Sequence, residues 1–364
     1  MKKIFKVLII FSLLVSLLCV NSFANEDKSD ELWEEFVEIA PEGSVSENID
    51  ESIYSVGVES LFAEILASVG EGVSEISLFL MMLIGIAVLI SVADVASPLE
   101  IGTVSQHTSV AVTMITSLII FYRIGGLCES VKDSLVELST FFTGLIPVMT
   151  GILTAGGNVT SATSQALNMN ITLSAVSYVA TYLLIPLVLS LFALALASSI
   201  GGTTVSAVAK SVRGIFMWIM GIGTTVIIGA VSMQSLIAGA QDSAYLRAAK
   251  YAATGMIPVV GSTVSGALAT LAGGLNYVKG AVGVSAVVVI VGLVLSPLVT
   301  MLLYRLSFSI GISFLEFTGS KAGKSVYTAF RSALDTLISV YVLSSVIYIC
   351  EIVVFMRCGA DVFN

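Results

Sequence analysis

Charged side chains are scarce in this 364-residue chain: they make up 11% of it, against roughly a quarter in an average soluble domain. A soluble fold of this length needs a charged shell, and too few charges are present to build one. Histidine is scarcer still, His107 being alone. A zinc cluster, a Ser-His-Asp triad or a Cys-His pair has almost nothing to be built from, and His107 reads as a loop residue just before a helix. The four cysteines, Cys19, Cys128, Cys350 and Cys358, show no paired spacing. They read as isolated thiols rather than a disulfide framework. No pair of carboxylates is spaced within one apolar block for acid–base work, and no basic stripe exists to meet phosphates. The expectation is a protein with no enzymatic activity, no cofactor, no metal and no nucleic-acid partner.

What is present is apolar. Hydrophobic residues make up 56% of the chain, in long blocks rather than the short alternating runs of a β-barrel. The predicted fold is all-α, a multi-pass transmembrane helical bundle over 76–364. Six blocks approach the ~20 residues a bilayer requires: 76–96, 108–128, 171–199, 215–240, 281–304 and 334–356. Upstream, Met1–Lys6 is basic, Val7–Val20 is apolar, and Ser22 and Ala24 suit a cut after Ala24, the pattern of a signal peptide over 1–24. Residues 25–75 then carry fifteen acidic groups and one base, a net −14, whereas the chain beyond 75 is nearly neutral. Within this acidic exported segment Trp33, Phe36, Val37 and Ala40 fall at helical spacing, as do Leu61, Ile65 and Val69. They predict one or two short amphipathic helices.

Two further apolar stretches, near 138–156 and 252–274, contain Gly and Pro. Thr143-Gly144-Leu145-Ile146-Pro147-Val148 recurs as Thr254-Gly255-Met256-Ile257-Pro258-Val259, an offset of 111 residues. The same shift carries 108–128 onto 219–239 and 171–199 onto 282–310. The chain therefore reads as two helix–re-entrant hairpin–helix repeats, an organisation found in many transporters. Proline removes a backbone donor and glycine permits a turn, so Thr143, Gly144, Pro147, Thr254, Gly255 and Pro258 are candidates to line a path. Kinked packing helices are the alternative. The linker Asn158–Asn170 reads as a polar loop.

Ionisable residues in or near the blocks are functional candidates. Asp335 and Glu351 share the last helix and are read as a polar stripe near one face. Lys321, Lys324 and Arg331 form a basic turn before that helix, able to touch anionic lipid or a cytosolic partner. Gly319-Ser320-Lys321-Ala322-Gly323-Lys324-Ser325 is one residue too short for a phosphate-cradling loop. With residue 25 outside, six spans and two hairpins place 200–214 and 305–333 in the cytoplasm and the C-terminus outside.

These motifs resemble a known family, stage III sporulation protein AE of endospore-forming bacteria. The resemblance rests on the two Thr-Gly-x-Ile-Pro-Val segments, on Val278-Lys279-Gly280-Ala281-Val282-Gly283-Val284-Ser285-Ala286, and on Lys324-Ser325-Val326-Tyr327 before the last span. It covers roughly residues 50–360. It implies a polytopic subunit of a sporulation complex in the mother-cell membrane facing the forespore, possessing features of a secretion or feeding apparatus. Its implied partners are a cytosolic ATPase, ring-forming and membrane subunits and, indirectly, a forespore membrane channel protein. The resemblance implies no catalytic residues. A stand-alone secondary transporter built on the two repeats is the alternative function.

Overall fold

The computed structural model describes residues 29–41, 58–96, 104–179, 182, 185–256 and 261–358. The signal segment and Pro258 lie outside the described residues. The elements, in order, are α1 (Ser29–Ile39), α2 (Val58–Ala96), α3 (Val104–Ala155), α4 (Val159–Tyr178), α5 (Ile185–Met256), α6 (Gly261–Thr318) and α7 (Lys321–Arg357). Among the described residues five helices are long and apolar enough to cross a membrane. The candidate spans are Ile76–Asp94, Ala111–Ala155, Lys210–Tyr245, Gly274–Thr318 and Gly323–Arg357.

The expected sixth block, 171–199, is only partly described: Val179 and Tyr182 continue as π-helix, and 180, 181, 183 and 184 lie outside the described residues. α4 ends at Tyr178 and α5 begins at Ile185. The expected break near 138–156 is corrected, because α3 runs through Pro147 to Ala155. One donor is lost at the proline, but Leu145, Val148, Met149 and Ile152 are all buried around it. The Thr150 hydroxyl also donates to the carbonyl of Ile146 at 2.8 Å. The chain turns later, at Gly156-Gly157-Asn158, where Gly157 has φ 77°, a conformation glycine adopts without a Cβ penalty. In the second copy of the motif α5 ends at Met256, and α6 runs unbroken through the positions equivalent to that turn. The segments that follow the two copies therefore take different local structures.

α7 is the central helix. In the most apolar stretch of its span 61% of residues are buried, against 17% for α5. It packs on α2, α3, α4, α5 and α6. Rings of Phe308 (α6), Phe330 (α7) and Phe192 (α5) stack across the bundle and Phe79 (α2) meets Phe308 edge-on, with centroids 5.5–6.1 Å apart. Gly311 of α6 lets the Tyr327 ring approach so closely that a Cβ there would lie 2.7 Å from it, and the Tyr327 hydroxyl donates to the carbonyl of Leu83 at 2.7 Å.

The broad cytoplasmic segment expected over 305–333 is only a two-residue turn. Gly319 takes φ 79°, and Ser320 caps α7 by accepting from the Gly323 amide at 3.3 Å. The Ser320 hydroxyl also donates to Asp94 at 2.5 Å, tying the end of α2 to this turn.

The acidic segment divides. α1 is amphipathic as expected, with Trp33 and Phe36 buried against α3 and α6. Leu61, Ile65 and Val69 belong not to a second short helix but to the beginning of α2.

Candidate functional site

The Ser/Thr/Asn/Gln-rich stretch expected to be a loop is a helix, α4, and it carries a buried polar face. Ser161, Gln165, Asn168 and Thr172 are spaced four, three and four residues apart, which places them on one helical face. All four are at most 1% exposed. Burying polar groups among apolar helices is costly unless they are hydrogen-bonded, and neighbours answer Gln165 and Thr172 on this face. Glu351 of α7, 2% exposed, accepts from the Thr172 hydroxyl on Oε1. Its Oε2 and its backbone carbonyl take the Gln165 amide at 3.5 and 3.4 Å. The far end of the Gln165 amide accepts from the Cys358 thiol at 3.6 Å.

Asp242 of α5 closes one end of this network. Asn158, at the start of α4, makes no cap bond with its side chain, so the first amides need another acceptor. Asp242 supplies it: Oδ1 accepts from the Thr160 amide at 3.0 Å and Oδ2 from the Ser161 amide at 2.6 Å. A carboxylate at a helix N-terminus is also favoured by the helix dipole. Cys358 closes the other end of the network through contacts with the Ser235 hydroxyl and, at its carbonyl, the Lys279 ammonium. Burial pushes the Cys358 thiol above its usual range, opposed by the Ser235 hydrogen bond and nearby Lys279. Four helices, α4 to α7, thus meet at one buried polar joint. Within it the Ser161 hydroxyl and the Asn168 amide nitrogen have no partner.

Asp335 and Glu351 do not form one stripe. Sixteen residues at 3.6 per turn leave them about 160° apart around α7. Accordingly Asp335 faces α6, where the Arg305 Nε donates to it at 2.5 Å, while Glu351 faces α4. Thr143 and Gly144 do not line a hairpin. The Thr143 hydroxyl donates back to the Ser139 carbonyl at 2.7 Å, and a Cβ on Gly144 would lie 3.2 Å from Ile39 of α1. The glycine therefore permits close approach of another helix rather than a turn. Thr254 and Gly255 lie at the end of α5. Lys321 begins α7, Lys324 pairs with Glu316 at 2.8 Å, and Arg331 approaches the Ser309 hydroxyl at 3.5 Å.

The reading of residues as isolated charges missed Gln165, Thr172 and Asp242. The spacing of the α4 face was available in the sequence; the acceptor from α5, over eighty residues away, was not.

The family model described as stage III sporulation protein AE matches residues 42–359. The chain belongs to that family. Neither a curated protein nor a solved structure matches it.

Proposed function

We propose that this member of the stage III sporulation protein AE family is a non-enzymatic membrane component of a sporulation-specific secretion or feeding apparatus. It sits in the mother-cell membrane facing the forespore, with its N-terminal segment exported, and forms an export-gate-like or permease-like core. Its partners are a cytosolic ATPase, ring-forming and membrane subunits of the complex and, indirectly, a forespore membrane channel protein.

The observation that carries this reading is the occupied state of Glu351. Both carboxylate oxygens are taken by hydrogen bonds within the chain. A carboxylate held this way suits a fixed joint that keeps four helices in register for assembly. A coupling-ion site would need acceptors free to exchange partners. A stand-alone secondary transporter remains the second reading, favoured by the buried and unpartnered Ser161 hydroxyl and Asn168 amide.

Affinity purification from sporulating cells separates the two. The expected result is co-purification with the ATPase and ring-forming subunits. Recovery of the protein alone, together with solute uptake by liposomes containing only this chain, would sink the complex-subunit reading.

A further inference from the structure

A cavity of about 510 Å³ opens between α5 and α7. Lys210 and Arg213 reach it from α5, and Lys324 reaches it from the first turn of α7. Ser325, Thr328 and Ser332 add hydroxyls along one wall, and the Arg213 guanidinium donates to Ser332 at 2.5 Å. Leu191 and Leu194 make the remaining wall apolar. Three cations and three hydroxyls around one space suit a phosphate group, which accepts several charge-assisted hydrogen bonds at once.

The position of the cavity narrows the ligand further. Lys210 and Gly323 begin two candidate spans, and Thr318 ends a third, so the cavity lies where apolar helices end. No aromatic side chain lines the cavity itself among the described residues, which leaves a nucleotide base nothing to stack on. Cations facing the apolar wall of Leu191 and Leu194 match an amphipathic anion. The Lys324–Glu316 pair is half exposed on both sides, so little is lost when Lys324 turns to another acceptor.

We infer that this cavity is a binding site for the phosphate headgroup of an anionic phospholipid, with Lys210, Arg213 and Lys324 holding the phosphate.

The test uses the full chain purified in a neutral detergent, titrated with phosphatidylglycerol, phosphatidylcholine or inorganic phosphate while thermal stability and native mass are followed. The expected result is saturable stabilisation by phosphatidylglycerol, with phosphatidylcholine at least about tenfold weaker. Lys210→Gln/Lys324→Gln, which changes two exposed side chains, should weaken phosphatidylglycerol binding by about tenfold or more, given the roughly fivefold effect of each basic residue near an anionic lipid. Lys132→Gln/Arg247→Gln removes the same charge from exposed positions elsewhere and should leave binding unchanged. Equal binding of the two lipids, or equal loss in both double variants, would overturn the inference. Inorganic phosphate binding as tightly as phosphatidylglycerol would assign the site to a free anion and overturn it too.

Discussion

At the scale of single residues, the interior of this protein is governed by acceptors. Glu351 accepts from Thr172 and Gln165 in a buried site. Leaving a buried donor without an acceptor costs about 1–3 kcal/mol. Glu351→Ala removes the acceptor of two donors, so its thermal transition in detergent should fall by several degrees. Glu351→Gln keeps a carbonyl for Thr172 and should lose about half as much. Equal loss in the two variants would show that the charge, and not the acceptor, holds the joint. Cys358 gives a second residue-scale test. Its thiol is buried and its pKa is raised, so the reactive thiolate is depleted at neutral pH. Alkylation should be slow in the folded protein, quicken as the pH rises, and become complete on denaturation. Labelling at the rate of a free thiol at pH 7 would contradict the burial.

At the scale of elements, the glycine of the first Thr-Gly-x-Ile-Pro-Val motif acts on α1. Gly144→Val puts two extra methyl groups against Ile39, where even a single Cβ would lie at 3.2 Å. The clash, worth roughly 1–3 kcal/mol, should release α1 and open its helical backbone to a glutamate-specific protease at Glu34, Glu35 and Glu38, whose side chains are already exposed. Ile39→Ala in the same chain should restore protection, and failure of that rescue would mean that α1 is not seated on Gly144. Apolar block length made the long helices legible in the sequence, and the spacing of Trp33 and Phe36 made α1 legible. Other elements were hidden for local reasons. A run such as Ser161 to Thr172 looks like a loop when only polarity is read, yet its polar residues recur at helical intervals. Pro147 looks like a break, but a proline ends a helix only where neighbouring packing does not hold it. The partners of Gln165 and Asp242 could not be read at all, since they join segments far apart in the chain.

At the scale of the whole molecule, α7 connects two chemically different poles. Its first turn holds Lys324 beside the cavity lined by Lys210 and Arg213. Its last residues lead to Cys358, whose carbonyl accepts from Lys279. The 37 residues of α7 extend about 55 Å at 1.5 Å per residue, more than the ~40–45 Å of a bilayer with its headgroups. The two poles therefore suit opposite membrane surfaces. Bases retained near span ends favour the cytoplasmic side, and Lys210, Arg213, Lys324 and Arg331 are gathered at the first pole. In a chain with Cys128, Cys350 and Cys358 replaced by serine, Lys324→Cys should react with a membrane-impermeant maleimide only in inverted vesicles. Arg357→Cys should react only in intact protoplasts. Reaction of both from the same face would mean that α7 does not cross the membrane, and the central helix would then have to be buried by other subunits instead of by lipid and its own bundle.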